Sequence, residues 1–159
     1  MTTDQRDQIG QLYQEMYEFL LSYALSYLKN NPLAEEAIQE TFRIACLKPE
    51  ALLDSPNPKG WLINTLKNTM RNIERSRANA NKLLIAYTAV HGNNVAFSED
   101  KLSMEISYSN VADSEEFKLI KEMAVEGKSH LEMAEARGIS VDACKKRVQR
   151  AKEFLRKKI

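Results

Sequence analysis

The sequence predicts an all-α fold: two small helical domains joined by a flexible linker, the C-terminal one a helix-turn-helix. Three observations carry this. Glycine and proline are scarce, five and four among 159 residues. Apolar residues recur at i, i+3, i+4 and i+7, the spacing of a single helix face, through most of the chain. Helix starts are written as cap residues followed either by proline (Asn31-Pro32, Asn57-Pro58) or by glutamate three positions on (Asp113 with Glu116, Ser129 with Glu132).

The first helix is expected from about Asp7 to Lys29, with Leu12, Met16, Phe19, Leu20, Tyr23, Ala24 and Tyr27 as its buried stripe. Asn31 then caps and Pro32 opens a second helix reaching about Leu47, with Ala37, Ile38, Thr41, Ile44 and Ala45 inward. Residues 48–57, with two prolines, read as a loop. A third helix runs from Pro58 to at least Arg77 on an inner face of Trp61, Leu62, Thr65, Leu66, Thr69 and Ile73. The Asn- and Ser-rich stretch 78–112, centred on His91-Gly92-Asn93-Asn94, reads as the linker, with helix continuing at most to Ala86. The domains are therefore 1–77 and 113–159.

The second domain opens with a helix capped by Asp113 that packs Phe117, Leu119, Ile120, Met123 and Ala124. A further helix starts at the Ser129–Glu132 capping box and carries Ala134 where helices must cross closely. Gly138 supplies the left-handed residue that ends it, and Ile139 plugs the turn. Ser140 caps a last helix with Cys144, Val148, Ala151 and Leu155 on one face; Asp142, Lys145, Lys146, Gln149, Arg150 and Lys152 lie opposite. From Lys145 to Ile159 eight Lys/Arg face one Glu, a local charge of +7.

Net charge is only +1, but it is uneven: residues 1–77 hold nine basic and ten acidic groups, 78–112 two and three, and 113–159 twelve and nine. A near-neutral total thus hides a basic terminus suited to nucleic acid. Cys46 and Cys144 both lie in apolar helical settings and read as small core residues. No apolar run reaches membrane-spanning length and no secretory apolar segment opens the chain, so a cytoplasmic protein without membrane insertion is expected.

Little supports an enzyme. His91 falls in the linker and His130 at a helix start, without ligands at metal spacing; no phosphate loop or nucleophile-base arrangement can be proposed. No catalytic residue, metal, cofactor or small-molecule substrate is expected. Two other faces attract attention. Glu35, Glu36, Gln39 and Glu40 form an acidic helix face that reads either as solvated surface or as a dock for a basic partner. Asn64, Asn68 and Asn72 repeat at i, i+4 and i+8 beside Lys67, Arg71, Arg75 and Arg77. That pattern fits an exposed polar face, or a surface where Asn pairs with a base edge and cations hold the strand.

Residues 11–77 resemble the second conserved region of extracytoplasmic-function (ECF) sigma factors, the small promoter-specificity subunits of bacterial RNA polymerase. The resemblance is carried by Gln11–Leu28, Ala34–Ala45 and Gly60–Arg77, above all by Gln39-Glu40-Thr41-Phe42, Trp61-Leu62 and Asn68. Residues 114–158 resemble the fourth region through VEGKS, MAEARGIS and KKRVQRAKEFLRK. The resemblance implies that Glu35, Glu36, Gln39 and Glu40 dock the clamp coiled coil of the polymerase largest subunit. It implies that Asn68, helped by Asn64 and the loop 52–57, captures a base flipped from the non-template strand at the minus-ten element. Lys67, Arg71, Arg75 and Arg77 would track that strand. Lys145, Lys146, Gln149 and Arg150 would read the minus-thirty-five element, with Arg147 and Lys152 on phosphates. Core polymerase and promoter DNA are the implied partners, and an anti-sigma factor is admitted as another.

Some positions depart from the family pattern: Glu122 and Arg137 stand where apolar residues are usual, Cys144 replaces Val, and Lys146 stands where a small residue is common. The helix that usually opens the fourth region is not evident in residues 104–112. Two rival readings remain: a helix-turn-helix regulator binding duplex DNA without the polymerase, and a degenerate sigma-like interaction protein that directs no promoter.

Overall fold

A computed structural model describes residues 1–91 and 114–159, all-α in seven helices among the described residues. They are α1 (Thr3–Leu28), α2 (Asn31–Leu47), α3 (Pro49–Leu53), α4 (Pro58–His91), α5 (Glu115–Ala124), α6 (His130–Arg137) and α7 (Val141–Lys158). The chain divides into two compact units, Met1–Glu74 and Arg75–Ile159.

In the first unit α1 starts four residues before the expected Asp7. Thr2 and Gln5 form a reciprocal capping box, Thr2 Oγ1 accepting from Gln5 N at 3.1 Å and Gln5 Oε1 accepting from Thr2 N at 2.9 Å. Lys29, left-handed at φ 54°, ends the helix. The cap of α2 is Asn30, not Asn31: Asn30 Oδ1 accepts from Leu33 N at 3.0 Å, which makes Asn31 the first helical residue and Pro32 the second. Ala24, Ala34, Ala37 and Ala45 are fully buried, small side chains that let backbones approach closely, and Leu20, Ile38, Leu62 and Leu66 fill the space between them. The expected stripe on α1 is half right. Met16, Leu20 and Ala24 are buried with Ile9, whereas Phe19 is 52 % and Tyr27 44 % exposed. Cys46 is likewise exposed rather than a core residue.

The 48–57 segment contains the one-turn α3, opened by Pro49 and anchored by the buried Leu52. Asn57 caps α4 as expected, its Oδ1 accepting from Gly60 N at 3.0 Å. Gly60 is what allows this, since a Cβ there would stand 2.5 Å from Asn57 Nδ2.

In the second unit residues 78–91, assigned to the linker from sequence, form the C-terminal part of α4. Ala80, Leu83, Leu84 and Tyr87 pack into one core with Phe117, Ile120, Met133, Cys144, Val148 and Leu155. Their i, i+3, i+4, i+7 spacing was visible in the sequence. The intervening asparagines, poor helix formers, masked it. The rest of the linker, the stretch 104–112 and Asp113 lie outside the described residues. The cap of α5 is Ser114, whose Oγ accepts from Phe117 N at 3.0 Å, in place of Asp113.

The helix-turn-helix is built as its residues dictate. Ser129 Oγ accepts from Glu132 N at 3.2 Å and Glu132 Oε1 from Ser129 N at 3.1 Å. Gly138 is left-handed at φ 65°, Ile139 packs against the core, and Ser140 caps α7 by accepting from Ala143 N at 3.1 Å. Cys144, Val148, Ala151 and Leu155 are buried.

Candidate functional site

On α2, Gln39 is exposed and Glu35, Glu36 and Glu40 are half-buried. Glu40 is also engaged within its own helix. Arg43 donates to it from Nε at 2.8 Å and from Nη2 at 2.6 Å, a bidentate clasp one turn along. The face is therefore less acidic than the bare sequence suggests, and Arg43 is part of it. The sequence reading missed this, though the i, i+3 spacing could have revealed it.

On the first-unit part of α4, burying Leu62, Leu66, Thr69 and Met70 turns Asn64, Asn68 and Arg71 outward, all three exposed. Thr65 and Thr69 bond back to the carbonyls of Trp61 and Thr65 at 2.8 and 2.9 Å, so their hydroxyls need no other partner on the inner face. Trp61 is half-buried against the core. Arg71 Nη1 stands 3.5 Å from Asn68 Oδ1, so the cation and the amide share one surface. Lys67 is half-buried, its ammonium 6.0 Å above the ring of Tyr23 on α1.

Arg75 and Arg77 lie further along α4, in the second unit. Arg75 is exposed. Arg77 is half-buried, and its Nε is buried without a hydrogen-bond partner among the described residues.

On α7, Lys146, Arg147, Gln149 and Arg150 are exposed and Lys145 is half-buried. Arg147 and Arg150 line an open cleft against α5 with Glu115, Glu116 and Phe154. Lys152 is placed differently. It is half-buried and its ammonium donates to Ser76 Oγ on α4 at 3.1 Å; burial, with Arg156 adding to it, lowers its pKa. It points into the protein rather than toward a phosphate, and nothing in a helical wheel of α7 alone could reveal that Ser76 would face it.

The two unusual residues of the second domain explain each other. Arg137 Nη2 donates to Glu122 Oε2 at 2.5 Å and lies 3.5 Å from Glu115 Oε1. Its other arm donates to Met133 O at 3.3 Å, and Glu122 also receives Lys128 at 3.2 Å. Burial works against the Arg137 charge, but the Glu122 carboxylate outweighs it and the guanidinium pKa is raised. An ion pair thus ties α6 to α5 at the two positions that depart from the family pattern.

Among the described residues no group of three or more His, Cys, Asp and Glu side chains could hold a metal, and no helix is long and apolar enough to cross a membrane. What the exposed faces offer is charge and hydrogen-bonding groups: carboxylates and an arginine on α2, amides and cations on α4 and α7.

Residues 12–80 match the family model of Sigma-70 region 2. This part of the chain is similar to a Sigma-70 region 2. The match runs from Leu12, within α1, through α2 and α3 to Ala80 on α4, and includes the Asn64–Arg71 face. A Sigma-70 region 2 supports a role in binding RNA polymerase and in promoter melting. No curated protein and no solved structure matched the chain.

Proposed function

We propose that this chain is a sigma factor of the ECF type that directs RNA polymerase to specific promoters, with two surfaces on its region-2-like part and a third on its helix-turn-helix. The observation that carries the reading is the exposed Asn64–Asn68–Arg71 face of α4, a pair of amides beside cations, inside the region 2 match. Base capture needs groups that hydrogen-bond two ways and a charged track for the strand, because unstacking a base costs a few kcal/mol. Asn64 and Asn68 fill the first need; Lys67, Arg71 and Arg75 the second.

Glu35, Glu36, Gln39 and Glu40 on α2 dock the clamp coiled coil of the polymerase, with Arg43 contributing to the same face. Lys145, Lys146, Gln149 and Arg150 on α7 read the minus-thirty-five element, and Arg147 holds a phosphate. Lys152, whose ammonium is turned to Ser76, drops out of the DNA-contacting set. Support for the α7 role is the capped and glycine-turned α6–α7 pair with a cationic outer face.

Co-elution with purified bacterial core polymerase tests the reading. The wild-type chain should co-elute, and Glu36→Lys/Glu40→Lys should not. Swapping the clasp, Glu40→Arg with Arg43→Glu, separates loss of the helix's own ion pair from loss of docking, because the swap keeps the pair and moves the charge. Absence of co-elution by the wild-type chain, with duplex DNA bound by the free protein, would transfer the assignment to a regulator acting without the polymerase.

A further inference from the structure

Beside the Asn64–Asn68–Arg71 face runs a surface that no role yet accounts for. Phe19, Tyr23 and Tyr27 recur at i, i+4 and i+8 on α1, one aromatic ring per turn. Sequence periodicity placed all three in the core, yet Phe19 is 52 % and Tyr27 44 % exposed and Tyr23 is half-buried. The Phe19 and Tyr23 rings lie nearly parallel, 28° between planes and 6.4 Å between centroids. Two exposed rings with a half-buried one between them make a patch rather than a scatter of single apolar residues.

The neighbouring helix supplies the rest. α1 and the start of α4 run side by side in the same direction, as the contacts Glu15–Lys59, Tyr23–Lys67 and Tyr27–Glu74 show in order. Lys67 holds its ammonium above the Tyr23 ring, and Arg71 follows one turn on. Of the carboxylates along the seam, Glu15 Oε2 stands 3.9 Å from Lys59 Nζ, and Glu74, which keeps its charge, accepts the Tyr27 hydroxyl at 3.1 Å. That bond also holds the Tyr27 ring in place.

We propose that the Phe19–Tyr23–Tyr27 face of α1 is a stacking track for the bases of single-stranded DNA whose phosphates Lys67 and Arg71 hold. The inference rests on the region 2 reading and extends it to a helix with no assigned nucleic-acid role. Rings alternating with cations suit a single strand, because every base has a face to stack and every nucleotide a phosphate. A protein partner would need the rings but not the cations, and the face is continuous with the Asn68–Arg71 surface. Bases beyond the captured one would lie on Tyr23 and Phe19, extending the grip without sequence preference.

The test uses the full-length chain, free and bound to core polymerase, and a short fluorescein-labelled single strand of mixed sequence, read by anisotropy. Phe19→Ala and Tyr23→Ala should each weaken binding by about tenfold, and Tyr23→Phe should stay within about twofold because it keeps the ring. Circular dichroism checks folding; Phe19, being exposed, leaves no core cavity. Alanine variants that bind as well as wild type, while Lys67→Ala and Arg71→Ala bind less well, would overturn the stacking track and leave strand binding by region 2 standing. A wild-type chain that holds no single strand in either state would overturn both.

Discussion

Glu122 and Arg137 should behave as a single unit, and a double-mutant cycle can measure it. The Arg137 side chain keeps 15 % of its surface and Glu122 19 %, so neither charge is fully out of water. Removing one member of a wholly buried pair costs about 3–5 kcal/mol because the other is left stranded, whereas an exposed pair is worth about 0–1 kcal/mol. This pair falls between. After Glu122→Leu, Arg137 still has Glu115 at 3.5 Å and the Met133 carbonyl at 3.3 Å. After Arg137→Met, Glu122 still has Lys128 at 3.2 Å. Each single substitution is therefore expected to cost about 2 kcal/mol. The double variant Glu122→Leu/Arg137→Met replaces two charges by apolar groups of similar length and should lie within about 1 kcal/mol of the parent, a coupling of about 3–5 kcal/mol.

The two compact units can be followed separately in urea. The single tryptophan, Trp61, reports on the first unit, and far-ultraviolet ellipticity reports on both. The cycle should move the ellipticity component that Trp61 fluorescence does not share. Additive single costs in the double variant would refute the reasoning, and so would single costs below about 0.5 kcal/mol, the scale of a surface pair.

Four further outcomes are expected. Lys152→Met should leave duplex affinity unchanged and the second unit as stable or up to about 1 kcal/mol more stable, measured in urea near neutral pH. A lysine whose folded pKa is lowered binds its proton less well in the fold, so its penalty is present at lower pH and fades as pH rises toward the ordinary lysine range; that rise should vanish in the methionine variant. Leu84→Ala, at a fully buried site, should destabilise the second unit by about 2–5 kcal/mol, where a linker residue would cost nothing. Asn68→Ala should impair promoter opening, read by permanganate footprinting, while sparing polymerase co-elution; joint loss would remove its base-capture role. Arg150→Ala should weaken initiation by about 1–3 kcal/mol at a cognate promoter, and unchanged initiation there would remove Arg150 from the reading set.

Much of this was legible before any coordinates. The Asn57 cap, the Ser129–Glu132 box, the Gly138 turn and the buried Cys144–Val148–Ala151–Leu155 stripe are local: each is decided by residues within one turn of one another. The errors share a different cause. Phe19 and Tyr27 fit an apolar period on α1, but a helix wheel cannot say how wide a stripe its neighbours will cover. Residues 78–91 were discounted for their asparagines, yet four apolar positions packed against a distant core outweigh a propensity cost of about 0.7 kcal/mol per residue. Arg137 and Glu122 look wrong singly and right only together, and Lys152 is turned inward by Ser76, a residue 76 positions away. What the sequence could not supply was the identity of the opposing residue.

That distinction bears on how charge should be read along α7. Eight cations against one glutamate suggest a uniform DNA-facing helix. The fold divides them. Burying Cys144, Val148, Ala151 and Leu155 at about 100° per residue sets Lys146 opposite the core, with Gln149 and Arg150 to either side of it. Arg147 sits lower on the helix flank, where it and Arg150 share a cleft with Glu115 and Glu116, and Lys152 lies on the opposite flank against α4. A cation near carboxylates is partly neutralised before DNA arrives, so its net gain on a phosphate is smaller than that of a cation facing water. On the proposed reading, Lys146, which faces away from both the cleft and α4, is the cation of the Lys145–Arg150 set best placed for base readout. If Lys146 reads a base, Lys146→Ala changes preference at one promoter position; if it only holds a phosphate, affinity falls alike for all sequences and the salt slope drops by about one. The number of charges on a helix sets how strongly it is drawn to DNA, but the packing beneath decides which of them can read it.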